Sequence, residues 1–340
     1  MYSTVVFVGD HPLVVACAGR ARDAGLNVTA VSTSDGPIAA WAEAEGIARV
    51  AWTDLGEYLR QHTTDVLLSV GNLRILPDDI VDATKATINF HDGPLPKFAG
   101  LHTPMWALLA GETEYEVTWH RVEGGIDEGD ILATEGFEID HDETTRSMNI
   151  KCMGAAGAAF NEVLRQLTTG SLEPKQQVGA GQYFGRYDRP IPASAIVPHA
   201  MTAERIQRYV RALDFGPTIN RVGRPLLQVD ATRLMVIRAV TPVLSSVDAS
   251  PGQVLDAASD GGFATLTIAT TTDTLEFTGW LEPGVDIAAL VGSALPDPTP
   301  ALADIEKLHN SSARSEVWQS KRLAAMVPAD VGDLGESGDD

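Results

Sequence analysis

Short apolar runs alternate with amphipathic stretches over roughly the first half of the chain. Runs of strand length fall at Thr4–Val8, Val28–Ser32, Asp65–Val70, Ala86–Phe90, Glu116–Val122 and Ile131–Glu138. Apolar positions spaced three and four apart predict helices over Leu13–Ala24, Pro37–Glu45, Asp54–Gln61, Pro104–Ala110 and Thr144–Thr169. A strand feeding a helix, repeated, reads as an α/β fold: a mostly parallel twisted sheet with helices on both faces.

The pattern changes after that long helix. From Ser171 to Ala200 the periodicity stops, and Pro174, Pro190, Pro192 and Pro198 punctuate a stretch that also carries Gly179, Gly181 and Gly185. Such a stretch is expected to be a linker. A helix over Thr202–Leu213 follows, with Thr202 as its N-cap. Short β segments are then predicted at Leu226–Val229, Leu234–Val240, Gln253–Ala257, Ala264–Ala269 and Thr274–Thr278, with turns at Asp260-Gly261-Gly262 and Thr272-Asp273. The expected organisation is an α/β domain over 1–170, a linker over 171–200, a smaller β-rich domain over 201–300, and a helical segment with an acidic, disordered tail over 301–340.

Composition narrows the picture. A chain of 340 residues, 44% of them apolar, is long enough for two cores. It has neither a run of about 20 apolar residues nor the pattern of a secretory leader, so a cytoplasmic protein without a membrane partner is expected. Cys17 and Cys152 lie in predicted helices without neighbours at metal-ligand spacing and read as reduced structural residues. The formal charge of −21, from 46 acidic and 25 basic residues, repels polyanions, so no nucleic-acid partner is expected.

Candidate chemistry concentrates between Ser69 and Ile131. The first turn, Gly9-Asp10-His11-Pro12, lacks the glycine pattern of dinucleotide sites. By contrast, the apolar run Ala86–Phe90 ends in Asn89, His91 and Asp92 and enters the loop Gly93-Pro94-Leu95-Pro96. That places polar side chains at the carboxyl edge of a sheet, where open α/β folds bind ligands. Residues two apart on a strand share a face, so Asn89 and His91 can address one centre; a plain strand end bonded to loop backbone is the alternative. A second polar cluster, Glu123-Gly124-Gly125-Ile126-Asp127-Glu128-Gly129-Asp130, begins 32 positions beyond His91 and carries glycines that permit close backbone approach.

Here the sequence resembles the folate-dependent formyltransferases, a family that includes glycinamide ribonucleotide transformylase, methionyl-tRNA formyltransferase and the sugar N-formyltransferases. Their Asn-x-His pair and later Asp map onto Asn89, His91 and Asp127. The match extends through Leu95–Pro104, Ala107–Glu112 and, upstream, Gly71–Pro77, and covers about the first 165 residues. It implies a formyltransferase-type catalytic domain, an OB-like barrel in the C-terminal domain, and 10-formyltetrahydrofolate as a small-molecule folate co-substrate, with no metal. It further implies that the pterin sits between Leu73, Arg74, Ile75 and Leu76 on one side and Val122, Glu123, Gly124, Gly125 and Ile126 on the other, bonded mainly to main chain. His102 and Thr103 are candidates for the acceptor side.

The residue types suit that chemistry. Amine attack on a formyl carbon leaves negative charge on oxygen, which an amide or imidazolium donor such as Asn89 or His91 stabilises. A proton must leave the amine and another must reach the folate nitrogen, work for a group titrating near neutrality, with Asp127 favouring imidazolium at His91. Among the remaining histidines, His120 is singled out, because it lies on the strand leading to Asp127.

The acceptor is less specified. Arg211–Pro217 with Asn220, Gly223, Arg224 and Pro225 resembles the opening of the C-terminal domain in formylation modules of peptide-synthetase initiation enzymes. Leu308-His309, Glu316-Val317-Trp318 and Arg322-Leu323 resemble the junction to a downstream synthetase domain, or form an amphipathic closing helix. The expected acceptor is an aminoacyl group on a peptidyl carrier protein, or a free amine of nonribosomal peptide biosynthesis, with Gln182–Arg189 as a candidate carrier-docking stretch. The alternatives are a sugar-nucleotide amine, a hydroxylamine, methionyl-tRNA, hydrolysis of the folate, or a non-catalytic folate-binding module.

Overall fold

The computed structural model describes residues 2–186, 188–190, 195–216, 222–244 and 248–296. The junction motifs beyond residue 300, and Pro217 and Asn220, lie outside the described residues. The chain divides into two compact units: Met1–Pro104, Glu112–Asp140 and Ser147–Phe184 form the first, and Met105–Gly111, His141–Arg146 and the described residues from Gly185 onward form the second.

In the first unit the elements run β1 (Thr4–Val8), α1 (Leu13–Asp23), β2 (Asn27–Ser32), α2 (Pro37–Ala44), β3 (Ala48–Val50), α3 (Leu55–Gln61), β4 (Val66–Val70), α4 (Asp78–Val81), β5 (Ala86–His91) and β6 (Phe98–Gly100). Then come β7 (Glu114–Arg121), β8 (Ile131–Glu138), α6 (Thr145–Thr169), whose first two residues belong to the second unit, and β9 (Gln182–Phe184); α5 (Thr103–Ala110), between β6 and β7 in the chain, belongs from Met105 onward to the second unit. Seven strands make one sheet in the order β3-β2-β1-β4-β5-β7-β8. The first five are parallel, and β7 and β8 join antiparallel. Parallel strands covered on both faces read as continuous apolar runs, and Val66–Val70 is buried at every position. Val6, Val8, Leu55, Leu67 and Ile80 pack together on one face. Cys17 and Cys152 are free and buried, and burial pushes the Cys17 thiol up to about 12.

The strand order reverses between β1 and β4, so their carboxyl ends flank the crevice where such sheets hold ligands. The two strand ends close on each other at Gly9, where a Cβ would lie 1.9 Å from the Val70 carbonyl oxygen. No larger residue fits there.

The stretch expected as a linker carries structure of its own. β9 pairs in parallel with β6, and Lys175 exchanges two backbone hydrogen bonds with Ile131, both within the first unit. The pairing partners lie some 45 to 85 positions away, a separation that local periodicity does not report.

The second unit contains β10 (Ala195–Ile196), α7 (Ala203–Ala212), β11 (Leu226–Gln228), β12 (Leu234–Val243), β13 (Val254–Asp260), β14 (Phe263–Ala269), β15 (Thr274–Leu281) and α8 (Ile287–Leu290). Thr202 caps α7, its hydroxyl accepting from the Arg205 N–H at 3.2 Å. The strands form a six-stranded β-rich sheet in the order β10-β11-β12-β15-β14-β13, with a core of Leu226, Leu234, Val236 and Trp280. β10 and β13 stand at its two ends, without a pairing between them among the described residues.

Candidate active site

The site is assembled by strand register. β5 and β7 pair so that Asn89 stands opposite His120 and His91 opposite Thr118. Directly opposed residues of an antiparallel pair point to one face, and so do residues two apart on a strand. Asn89, His91 and His120 therefore share a face at the carboxyl end of β5. His91 is 5% exposed and His120 2%, whereas Asn89 is half-buried between buried neighbours.

Asp127 joins them from the loop between β7 and β8. Its Oδ2 lies 3.4 Å from His91 Nδ1, its Oδ1 lies 3.5 Å from His120 Nε2, and the Gly100 N–H donates to Oδ2 at 2.9 Å. Burial alone would raise this carboxyl, but the neighbouring His120 and His91 rings and the Gly100 N–H together hold it below the usual carboxylate value. The backbone at Asp127 is left-handed, φ 58°, a conformation that Asp tolerates better than most residues.

Several bonds fix that strained turn. Arg121 N–H donates to the Asp130 carbonyl and Val122 N–H to the Thr87 carbonyl, at 2.9 and 2.8 Å. Gln177 reaches in from the supposed linker and donates its amide to the carbonyls of Asp127 and Gly129, both at 2.8 Å. At Gly129 a Cβ would meet the Arg121 carbonyl oxygen at 1.8 Å, so only glycine lets the loop pass.

His91 faces acceptors on both ring nitrogens: Nε2 is 2.8 Å from the Phe98 carbonyl, opposite the Asp127 contact at Nδ1. The loop that supplies Phe98 turns at Gly93, where a Cβ would lie 3.0 Å from His91 Nε2 and 2.9 Å from Thr103 Oγ1. Thr118 ties the same loop down by donating to the Gly93 carbonyl at 2.7 Å.

The other predicted residues fall in the same unit. Leu73 is 85% exposed and Ile75 72%, on a loop braced by Asn72, which accepts from the Arg74 N–H at 3.0 Å and donates to the Arg74 carbonyl at 2.9 Å. Leu76 packs partly against the core, and the Arg74 guanidinium lies 3.8 Å from Asp10 and over the Trp52 ring. On the second loop Ile126 is 46% exposed, Val122 half-buried, Glu123 paired with Arg121 at 2.6 Å, Gly124 left-handed, and the Gly125 N–H bonded to Glu128 at 3.0 Å. His102 is half-buried with φ 58°, while Thr103 is fully buried and donates its hydroxyl to Asp92 Oδ1 at 3.0 Å.

Sequence reasoning assigned no role to Gln177 and left that of His120 open. His120 had a visible signal, its position on the strand before Asp127; Gln177 had none. No group of three or more His, Cys, Asp or Glu side chains among the described residues could hold a metal ion.

The seven-stranded α/β sheet carries an Asn/His/Asp cluster at its carboxyl edge, and residues 4–164 match the family model described as formyl transferase. Over that segment, just under half of its length, the chain is similar to the folate-dependent formyltransferases. It is 28% identical over 269 residues to a methionyl-tRNA formyltransferase of Myxococcus xanthus, covering 75% of this chain and 78% of that protein. The methionyl-tRNA formyltransferase of Anaeromyxobacter dehalogenans strain 2CP-1 is 30% identical over 200 residues, 54% of this chain and 64% of that one. In fold it is similar to an N-formyltransferase from Helicobacter canadensis solved with folinic acid and dTDP-3-aminofucose, with TM-score 0.60, 17% identity, and coverage of 82% of this chain and all of that one. HypX from Aquifex aeolicus, solved with tetrahydrofolic acid, gives TM-score 0.57 at 17% identity, covering 82% of this chain and 44% of that one.

Proposed function

We propose that this chain transfers the formyl group of 10-formyltetrahydrofolate to a primary amine, with Asn89, His91 and Asp127 as the catalytic residues. The convergence of those three side chains at the carboxyl edge of a formyl transferase domain supports this reading most strongly. The co-substrate supplies an activated formyl group. The Asn89 amide stabilises the negative charge that develops on the formyl oxygen, an arrangement worth about 3–4 kcal/mol in comparable sites. His91 moves protons between the amine and the folate nitrogen, and Asp127 holds its ring. Leu73, Arg74, Ile75 and Leu76, with Val122, Glu123, Gly124, Gly125 and Ile126, form the pterin seat. His102 lies on the acceptor side, and Thr103 acts there through Asp92.

The acceptor in this reading is an aminoacyl group on a peptidyl carrier protein, or a free intermediate of nonribosomal peptide biosynthesis. Between Met201 and Pro300 stand seven arginines and no lysine against eleven acidic residues, a balance unsuited to tRNA. The domain limits read from the sequence, 1–170, 171–200, 201–300 and 301–340, belong to the same proposal.

The test is to incubate the chain with 10-formyltetrahydrofolate and a panel of amines: a loaded carrier protein, free amino acids, an amino sugar nucleotide, a hydroxylamine and methionyl-tRNA. One added formyl group on a carrier-bound or free aminoacyl amine is the expected result. Formylation of the sugar or tRNA alone overturns the acceptor, and release of formate without acceptor overturns transfer itself.

A further inference from the structure

His120 stands outside the Asn/His/Asp trio, yet it touches two of its three members. Its Nδ1 lies 2.8 Å from the Arg121 carbonyl, which can only accept, so Nδ1 carries the hydrogen. In the neutral ring Nε2 is then a bare lone pair. That atom lies 3.2 Å from the Asn89 amide nitrogen, which can only donate, and 3.5 Å from Asp127 Oδ1, which can only accept. One nitrogen thus meets a donor and an acceptor, and its own proton decides which of them it serves.

We infer that His120 is a positioning residue: its neutral ring holds the Asn89 amide by one N–H, and protonation transfers Nε2 to Asp127 and releases the amide. A primary amide has two N–H groups and one oxygen. With one N–H on His120, the second N–H of half-buried Asn89 keeps a fixed direction for a ligand oxygen. An Nε2–H on His120 would oppose the amide N–H groups donor to donor, and the amide must turn over to present its oxygen instead. Preorganised donors cost nothing to arrange at the moment of reaction, so losing that direction lowers turnover.

The charged groups facing this ring are few. Asp127 approaches from the loop after β7, and His91 on β5 stands edge-on with ring centroids 6.5 Å apart. Arg121, next along β7, is engaged with Glu123. The consequence is opposite proton requirements for two neighbouring histidines. His91 has acceptors on both nitrogens and is satisfied in full when both carry hydrogen; His120 works with Nε2 bare.

The kinetic part of this inference rests on the formyl-transfer reading, and the spectroscopic part does not. In ligand-free protein labelled with ¹⁵N, the imidazole signals of His120 should report Nδ1–H with bare Nε2 whenever the ring is neutral. The Asn89 side-chain amide signal should move with the same midpoint as His120 on acidification, while distant asparagines stay still. In kinetics, with an acceptor that remains unprotonated across the range, turnover of the wild type should fall toward acid. H120Q offers Asn89 an amide oxygen that does not titrate; it should keep turnover within about tenfold and lose the acid limb, whereas H120F should cost about thirtyfold at every pH. An Nε2–H tautomer, an Asn89 signal indifferent to His120, or a wild-type acid limb in H120Q overturns the proposal. Coupled signals without formyl transfer would leave the His120–Asn89 linkage standing and remove the function.

Discussion

Two buried carboxylates in the first unit are handled in opposite ways. Asp65, before β4, is 5% exposed at its side chain and accepts from the Ser3 N–H at 2.7 Å, the Ser3 hydroxyl at 2.8 Å, the Thr4 N–H at 3.2 Å and Lys85 at 2.6 Å. Asp127 is 9% exposed, has one backbone donor at 2.9 Å, and otherwise faces two histidines at 3.4 and 3.5 Å. The first sits at the amino edge of the sheet and is fully satisfied by groups that do not titrate near neutrality. The second sits at the carboxyl edge, on a left-handed turn, with partners whose protons can move. A buried acid with short, fixed donors holds a fold together, and one with long bonds to titratable groups is available for chemistry.

The sharpest way to break the comparison is to neutralise the second acid. Asp127→Asn, like Asn89→Ala and His91→Ala, should reduce kcat/KM by about a hundredfold or more while leaving the unfolding midpoint nearly unchanged. Near-wild-type turnover in two of these three would dissolve the site. The same operation on the first acid should do the reverse. Asp65→Ala strands the donors of Ser3 and Thr4 and should cost about 2–3 kcal/mol of stability, read by urea unfolding, with turnover per folded molecule preserved.

The pH dependence of stability separates the two further. Burial works to raise Asp65, but Lys85 and the Ser3 and Thr4 donors outweigh it and hold the carboxyl well below the usual range. A depressed native value means the unfolded chain binds the proton first, so this stabilisation is complete above the ordinary carboxylate range and drains away as pH falls. Acid titration of unfolding should show a steep loss from about pH 5 downward, and Asp65→Asn should flatten it.

A smaller effect is expected where packing alone holds the site. The Gly93→Ala methyl would stand 3.0 Å from both His91 Nε2 and the Phe98 carbonyl that it meets. Turnover should fall by about tenfold through a displaced ring, with the folate KM little altered. An unchanged kcat would mean that the Phe98 contact does not position His91.

The legibility of these regions from sequence follows the range of the interactions that make them. Period-two and helical spacing are local, so β1, β8 and α6 appear within a residue or so of their expected ends. The shared face of Asn89 and His91 is local for the same reason. Register between β5 and β7 is not: a two-residue slip would put Thr118 rather than His120 opposite Asn89 with every side chain still on its own face, and nothing within either strand's own alternation selects between the two. The pairing of β9 with β6 and the reach of Gln177 are longer-range still, and a Pro/Gly-rich stretch looks the same whether or not it docks.

Gln177 gives the finest test of how far the Asp127 turn depends on its surroundings. Its two hydrogen bonds at 2.8 Å hold the carbonyls on either side of Glu128 and fix the direction in which the Asp127 side chain leaves the backbone. Gln177→Ala should cost about 1 kcal/mol of stability, the ordinary worth of such bonds. It should also lower kcat by roughly threefold to tenfold, because a small displacement of a catalytic group is amplified in the rate. A role confined to stability would make that cost independent of Asp127. A role in aiming the carboxylate makes the two substitutions non-additive in turnover, so that Gln177→Ala added to Asp127→Asn changes kcat little further. Full additivity in that cycle would reassign Gln177 to the fold and leave the aim of Asp127 to Gly100 and the two histidines.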